Sequence, residues 1–243
     1  MTDRDPLYRG HSFPAEIIAH AVWLYFRFPL SLRMVEDMLA ARGIIVSHQT
    51  IRLWAEKFGR TFGNQIRQRS RGRLGDKWHL DEVVISIRGK KHWLWRAVYQ
   101  DSFVLEVLVQ SRRDAKAAKR LMRKLLKGQE RSPRVMITDK LRSYGAAKQE
   151  IMPGVEHRSH KGLNNRAKNS HQPIRRRERI MKRFKSKRHL QLFVSIHDPI
   201  QRFVSIHDPI ANLFQIPRHD ISSGHHRELR SAAMKLWAKI ARA

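Results

Sequence analysis

The apolar residues of this chain change their period just after Lys77. Before that point they recur at three and four residues, the spacing of helices; from there to about residue 109 they alternate or run through β-branched residues, the pattern of strands, and beyond it strands and helices take turns. A chain built this way folds as a helical unit followed by a unit of mixed class. Ile17, Ile18, Ala21, Val22, Leu24 and Tyr25 line one face of a first helix, with Pro14 in its first turn and Pro29 beyond its end. Ser31 is placed to cap a second helix, in which Leu32, Val35, Met38 and Leu39 form the apolar stripe, and Gly43 follows it. Ser47 caps a third, with Ile51, Trp54, Ala55 and Phe58 inward and Gly59 as its expected stop. Three short helices with tight turns over residues 10–60 match a helix-turn-helix domain or an ordinary three-helix bundle, and the excess of Lys and Arg favours the first. Its third helix would present His48, Gln49, Arg52 and Lys57, side chains that can reach base edges or phosphates. Residues 61–76, rich in Arg, Gly, Gln and Asn, predict a basic linker.

The second unit reads as three strands at 78–87, 93–99 and 103–109, turning at Gly89 and at Asp101-Ser102. Asp114 then caps a helix with Ala118, Leu121, Met122, Leu125 and Leu126 on one face. A short apolar strand at 135–137 ends in Thr138-Asp139, followed by a helix over about 140–150 and a strand near 155–158. Three antiparallel strands followed by helix, strand, helix and strand predict a mixed sheet flanked by helices. Two acids stand out in it. Asp81 lies among apolar neighbours in the first strand, and Asp139 lies at the end of the central one; by pattern alone both also read as surface acids or turn caps. Carboxylates on adjacent strands repel unless a cation neutralises them, and oxygen-only ligation suits Mg²⁺, with Mn²⁺ a possible substitute. Two such ions are the usual engine of phosphodiester cleavage and transfer.

Charge points to the partner. Lys and Arg number 50 against 21 Asp and Glu, a formal net charge of +29, which favours a polyanion and a salt-dependent affinity for it. With 41% hydrophobic residues the chain is not a disordered basic tail, and with no Cys it has no disulfide or thiolate metal site. Its most apolar stretch, IIAHAVWLYF, is too short to cross a bilayer, so a cytoplasmic, nucleoid-associated protein without membrane contact is expected. The histidine pairs His157/His160 and His225/His226 lack a third ligand in view, and zinc is not expected at either. Residues 175–188 hold nine Lys or Arg and one acid, Glu178; Arg175, Arg176, Arg177, Arg179, Lys182 and Arg183 are the expected phosphate contacts there. QLFVSIHDPI at 191–200 is repeated as QRFVSIHDPI at 201–210, a tandem duplication whose prolines predict a loop or an altered helix end. Residues 216–243 read as a polar, weakly helical tail without an assigned role.

The strings GDKWHLDEVVISI, RAV, VLVQSRR, AKAAKRLMRKLL, VMITDKLRSYGAA, GVEHR, HKGLNNRAKNSHQP and KRFKS, in this order, resemble bacterial insertion-sequence transposases of the IS6 family. The resemblance spans about residues 10–215 and implies a helix-turn-helix followed by an RNase-H-like DDE catalytic core over 77–215. It implies that Asp81 and Asp139 are the first two metal-binding carboxylates and that Mg²⁺ serves at a two-metal site. It also implies double-stranded DNA partners, the terminal inverted repeats and the target, and a homo-oligomer on DNA, because two ends must be joined. One position departs. Where the family has its third acid, Glu, this chain has Lys168, and Glu178, ten residues on and roughly 80° round a helix, is no substitute. The expectation is a transposase with impaired catalysis. The alternatives are a sequence-specific DNA-binding remnant or repressor, or a general basic nucleic-acid binder such as an RNA-associated protein.

Overall fold

The structure, a computed structural model, describes residues 6–70, 76–87, 89–100, 103–160, 162–180, 199–216 and 221–241. They form two compact units, one of residues 1–69 with 206–243 and the other of residues 70–205.

The first unit contains α1 (Ala15–Arg27), α2 (Leu32–Ala40) and α3 (His48–Ser70), preceded by a turn of 3₁₀ helix at Pro6–Tyr8. The expected caps form: Ser31 Oγ accepts from Met34 N at 3.1 Å and Ser47 Oγ from Thr50 N at 3.3 Å. Gly43 has a φ of 75°, a conformation that suits glycine after a helix. The chain departs from expectation at Gly59, where α3 does not stop. It runs to Ser70, through most of the expected linker, because Phe62 and Ile66 extend the stripe of Trp54, Ala55 and Phe58 and are buried with it. Gly59 serves a close approach instead: a Cβ there would lie 2.8 Å from Phe26 Cε2 and 3.1 Å from Ile206 Cγ2. Overpacking of this kind costs about 1–3 kcal/mol, more than the ~1 kcal/mol that helix propensity returns for Gly to Ala. Gly59→Ala is therefore expected to lower the midpoint of urea unfolding; an unchanged or higher midpoint would show that Phe26 moves aside freely.

The other end of the chain belongs to the same core. The helix α8 (Pro199–Leu213) carries the second copy of the duplicated decamer, and α9 (Ser223–Ala241) is the expected tail. Trp237 packs edge-on against Phe62 at 5.1 Å, Phe214 against Trp23 at 5.7 Å, and Tyr8 Oη donates to the Ala241 carbonyl. Residues 206–216 and 221–241 thus group with the N-terminal helices, whereas the expectation ran the catalytic core to 215 and left a tail after it. The second copy forms neither a loop nor a helix end. Pro209 lies within α8, and the burial of Ile206, Ile210 and Phe214 holds the helix despite the lost backbone bond. The first copy, except for its last two residues, lies outside the described residues.

The second unit is a five-stranded mixed sheet of order β3-β2-β1-β4-β5: β1 (Lys77–Ile87), β2 (Lys90–Tyr99), β3 (Val104–Gln110), β4 (Val135–Thr138) and β5 (Glu156–Ser159). The first three are antiparallel, and β4 and β5 add in parallel to β1. This is the mixed sheet that the element order predicts, and the arrangement agrees with the RNase-H-like core that the resemblance implies. The helices α4 (Ala115–Gln129) and α5 (Arg142–Ile151) belong to a core with Trp78, Leu80, Trp95 and Met136. A smaller core joins Val83, Ile85, Leu94 and Val107 to Ile174, which lies on α7 (Gln172–Ile180) just after α6 (Asn165–Ser170).

Candidate active site

Strand register places the acids. β1 and β4 run parallel, and their last paired residues are Leu80 and Thr138. Asp81 is the next residue on β1 and Asp139 the first residue beyond β4, so the two neighbouring strands deliver a carboxylate at the same level. Parallel strands lie about 4.8 Å apart, which brings the two side chains within reach of a common ion. One oxygen from each of Asp81, Glu82 and Asp139 lies within 4.8 Å of the others.

Each carboxylate is held differently. Asp81 is buried beside α6 and α7: Asn164 Nδ2 donates to the Leu80 carbonyl at 2.7 Å and reaches Asp81 Oδ1 at 3.4 Å, while His171 Nε2 lies 3.4 Å from Asp81 Oδ2. Glu82 faces the other side of β1, where Tyr144 Oη donates to its Oε2 at 2.6 Å and Arg113 Nε to its Oε1 at 2.8 Å. Asp139 begins a turn into α5, its Oδ1 accepting from Leu141 N at 3.0 Å. The Asp139 carbonyl accepts from Ser159 Oγ at 2.9 Å and from Thr138 Oγ1 at 2.7 Å. The Thr138 proton is then committed, so His157 Nε2, 2.9 Å away, is the donor to that hydroxyl. Asp139 is therefore fixed at its backbone as well as its side chain.

The electrostatics are those of two acids held close together, one of them buried. Burial, and then the Asp139 charge, push the Asp81 carboxyl up to about 7, against the opposing pull of Lys168 and Arg113. Burial also raises Glu82, against Tyr144 and Arg113. Raised carboxyls make the folded state bind more protons than the unfolded one, so stability falls as pH rises between the unfolded value near 3.8 and about 7. Compared with Asp81→Asn, the unaltered chain without added metal should lose stability across that window, and urea melts at its two ends measure this. A constant difference between the two proteins would show that Asp81 titrates normally.

Lys168 is on α6, half-buried, and close enough for its ammonium to pull on Asp81. The structure thus brings Asp81, Asp139 and Lys168 into one neighbourhood. Glu178 is elsewhere, its Oε1 accepting from Ser86 N at 2.9 Å. The residues that the sequence reading missed are Glu82, Arg113, Tyr144, Asn164 and His171. Only Glu82 had a local signal, its place beside Asp81 in HLDE; the others arrive from distant segments. Among the described residues no other cluster of three metal-ligating side chains exists.

The expected DNA contacts are more scattered. On α3, Gln49 is exposed, Arg52 is half-buried, and His48 lies 3.3 Å from Glu36. Lys57, nine residues past His48 and so about 180° round the helix, lies on the other side and meets His11 at 2.9 Å. On α7, Arg175, Arg176 and Arg179 are exposed, while Ile174 is buried. Arg177 is in α7, its side chain not described, and Lys182 and Arg183 lie outside the described residues. No helix among the described residues is long and apolar enough to cross a membrane.

Residues 75–207, more than half of the chain, match the family model of the DDE domain of IS240-type transposases. The chain belongs to the DDE transposases of insertion sequences, in the IS6 family. A similar curated relative is the transposase of insertion sequence element IS257 in transposon Tn4003 of Staphylococcus aureus, 29% identical over 70% of this chain and 78% of that protein. Weaker likenesses among solved structures include the HTLV-2 integrase catalytic core domain in complex with magnesium, 17% identical over 62% of this chain and 93% of that one, with a TM-score of 0.37. Another is the catalytic domain of Mos1 mariner transposase, 14% identical over 77% and 94%, also with a TM-score of 0.37. In this transposase the matched region contains both aspartates and position 168.

Proposed function

We propose that this transposase binds the terminal inverted repeats of its own element and acts on DNA at a metal site formed by Asp81 and Asp139, with catalysis impaired by Lys168. The observation that carries the reading is the parallel register of β1 and β4, which sets the two aspartates side by side in a DDE domain. A buried and a half-buried carboxylate that repel each other, with oxygen ligands alone, fit a hard divalent cation, Mg²⁺ or Mn²⁺. When bound, such an ion supplies a Lewis acid for the scissile phosphate and lowers the pKa of the attacking hydroxyl. Asn164 orients Asp81, and Thr138 and Ser159 orient Asp139. Gln49 and Arg52 are the base or phosphate readers of a helix-turn-helix, and the exposed arginines of α7 contact phosphates. Joining two ends calls for a homo-oligomer on double-stranded DNA, in a cytoplasmic, nucleoid-associated setting.

A second reading is favoured by Lys168 itself: a protein that occupies inverted repeats as a remnant or repressor without cutting them. Cleavage and strand transfer on DNA carrying the element's own ends, with Mg²⁺ or Mn²⁺, test both. The chain as it stands should bind the ends and cut poorly, Lys168→Glu should cut, and Asp139→Asn in that background should abolish cutting. Metal-independent cutting, or cutting that survives Asp139→Asn, would overturn the assignment of the site. Binding that competitor RNA removes would point to a general nucleic-acid binder.

A further inference from the structure

Glu82 is held unlike its two neighbours in the cluster. Tyr144 Oη occupies its Oε2 at 2.6 Å, and its Oε1 accepts from Arg113 Nε at 2.8 Å and from Arg113 Nη2. An ionised carboxylate offers about four lone-pair sites, and three here are taken by protein donors. Tyr144 is itself immobilised, fully buried and edge-on to Trp95 at 5.5 Å. Arg113 comes from the segment between β3 and α4, beside the α4 cap in which Asp114 Oδ1 accepts from Ala117 N at 2.9 Å. Its guanidinium lies over the Trp93 ring at 5.0 Å, and its Nη2 is 3.6 Å from Asp139 Oδ2. One side chain thus bridges Glu82 and Asp139, and a chain of contacts runs from Trp95 through Tyr144, Glu82 and Arg113 to Asp139.

We infer that Glu82 is not a metal ligand but the anchor of Arg113, a positioning residue that orients the Asp139 carboxylate. This rests on reading Asp139 as a ligand. The roles separate by substitution, because Gln can accept from Arg113 through its carbonyl and donate to Tyr144 through its amide, while it loses the charge that a ligand needs. In the Lys168→Glu background, Glu82→Gln should retain cleavage and leave the Mn²⁺ requirement essentially unchanged. Glu82→Ala and Arg113→Ala should each lose about 10–100-fold in rate, the usual cost of removing a group that orients a metal ligand. Asp139→Asn should abolish Mn²⁺ binding read by electron paramagnetic resonance. If Glu82→Gln loses Mn²⁺ as Asp139→Asn does, Glu82 is a ligand and the inference fails.

A readout independent of cleavage uses the chain as it stands. Its ¹⁵N spectrum should hold an arginine Nε–H signal protected from water exchange that disappears in Arg113→Lys, is lost in Glu82→Ala and persists in Glu82→Gln. A signal indifferent to Glu82→Ala would show that no anchor exists. Should Lys168→Glu fail to cut, the reading of the metal site fails while this signal still decides the anchor.

Discussion

Lys168→Glu is expected to raise the rate of end cleavage by about three powers of ten, each 1.36 kcal/mol of barrier being worth tenfold. Two unit charges about 4 Å apart interact by about 4 kcal/mol at an effective dielectric near 20, and a divalent ion doubles that. The full repulsion is not charged against the lysine, because position 168 is half-buried and the ammonium can swing toward water. What it cannot do is replace a carboxylate, and that missing ligand accounts for most of the deficit. The substitution also reverses a sign. Lys168 now lowers the Asp81 carboxyl, whereas a glutamate in its place would raise it further, so the variant should be less stable without metal and gain more from Mn²⁺. Cleavage rates on labelled ends, with urea melts in chelator and in Mn²⁺, measure both effects. Equal cutting by the two proteins would mean that another residue completes the site.

The largest stability effect is expected at Trp95. It is fully buried on β2, packed with Trp78, Leu80 and Met136, and edge-on to Tyr144 at an interplanar angle of 77°. Trp95→Ala should cost about 3–5 kcal/mol, the range for emptying an aromatic site in a core that relaxes only partly. Against a typical total of about 5–15 kcal/mol, that leaves the catalytic unit marginal. Trp95→Phe should cost much less, because the indole Nε1 is buried with no hydrogen-bond partner among the described residues and its removal relieves an unmet donor. Urea unfolding of the two variants beside the parent gives the comparison. An alanine variant within about 1 kcal/mol of the parent would contradict a close-packed core at this position.

The parts of this molecule set by neighbours in sequence were legible, and those set by distant partners were not. Alternation through WHLDEVVISI and the apolar VMIT were enough to place β1 and β4, and with them Asp81 and Asp139. Lys168 was visible as a departure inside a long matching string. Gly59 misled because a glycine after an apolar stripe reads the same whether it ends a helix or admits a neighbouring ring, and Phe26 is 33 residues away. Residues up to 215 read as the end of the core and 216–243 as a tail, because the packing of Phe214 on Trp23 and of Trp237 on Phe62 joins segments far apart in sequence. Arg113 and Tyr144 were hidden for the same reason.

The adjacency of Asp81 and Glu82 on one strand gives the protein an uneven tolerance of genetic change. A side-chain period of two means that an insertion or deletion that slips β1 by one residue would interchange the faces of the two acids, and would also turn Trp78 and Leu80 out of their core. Such an insertion or deletion is removed with the fold. A point change on the rim of the site, such as the lysine on α6, leaves every strand in register. Copies of this gene can therefore lose their chemistry while still producing a well-formed protein.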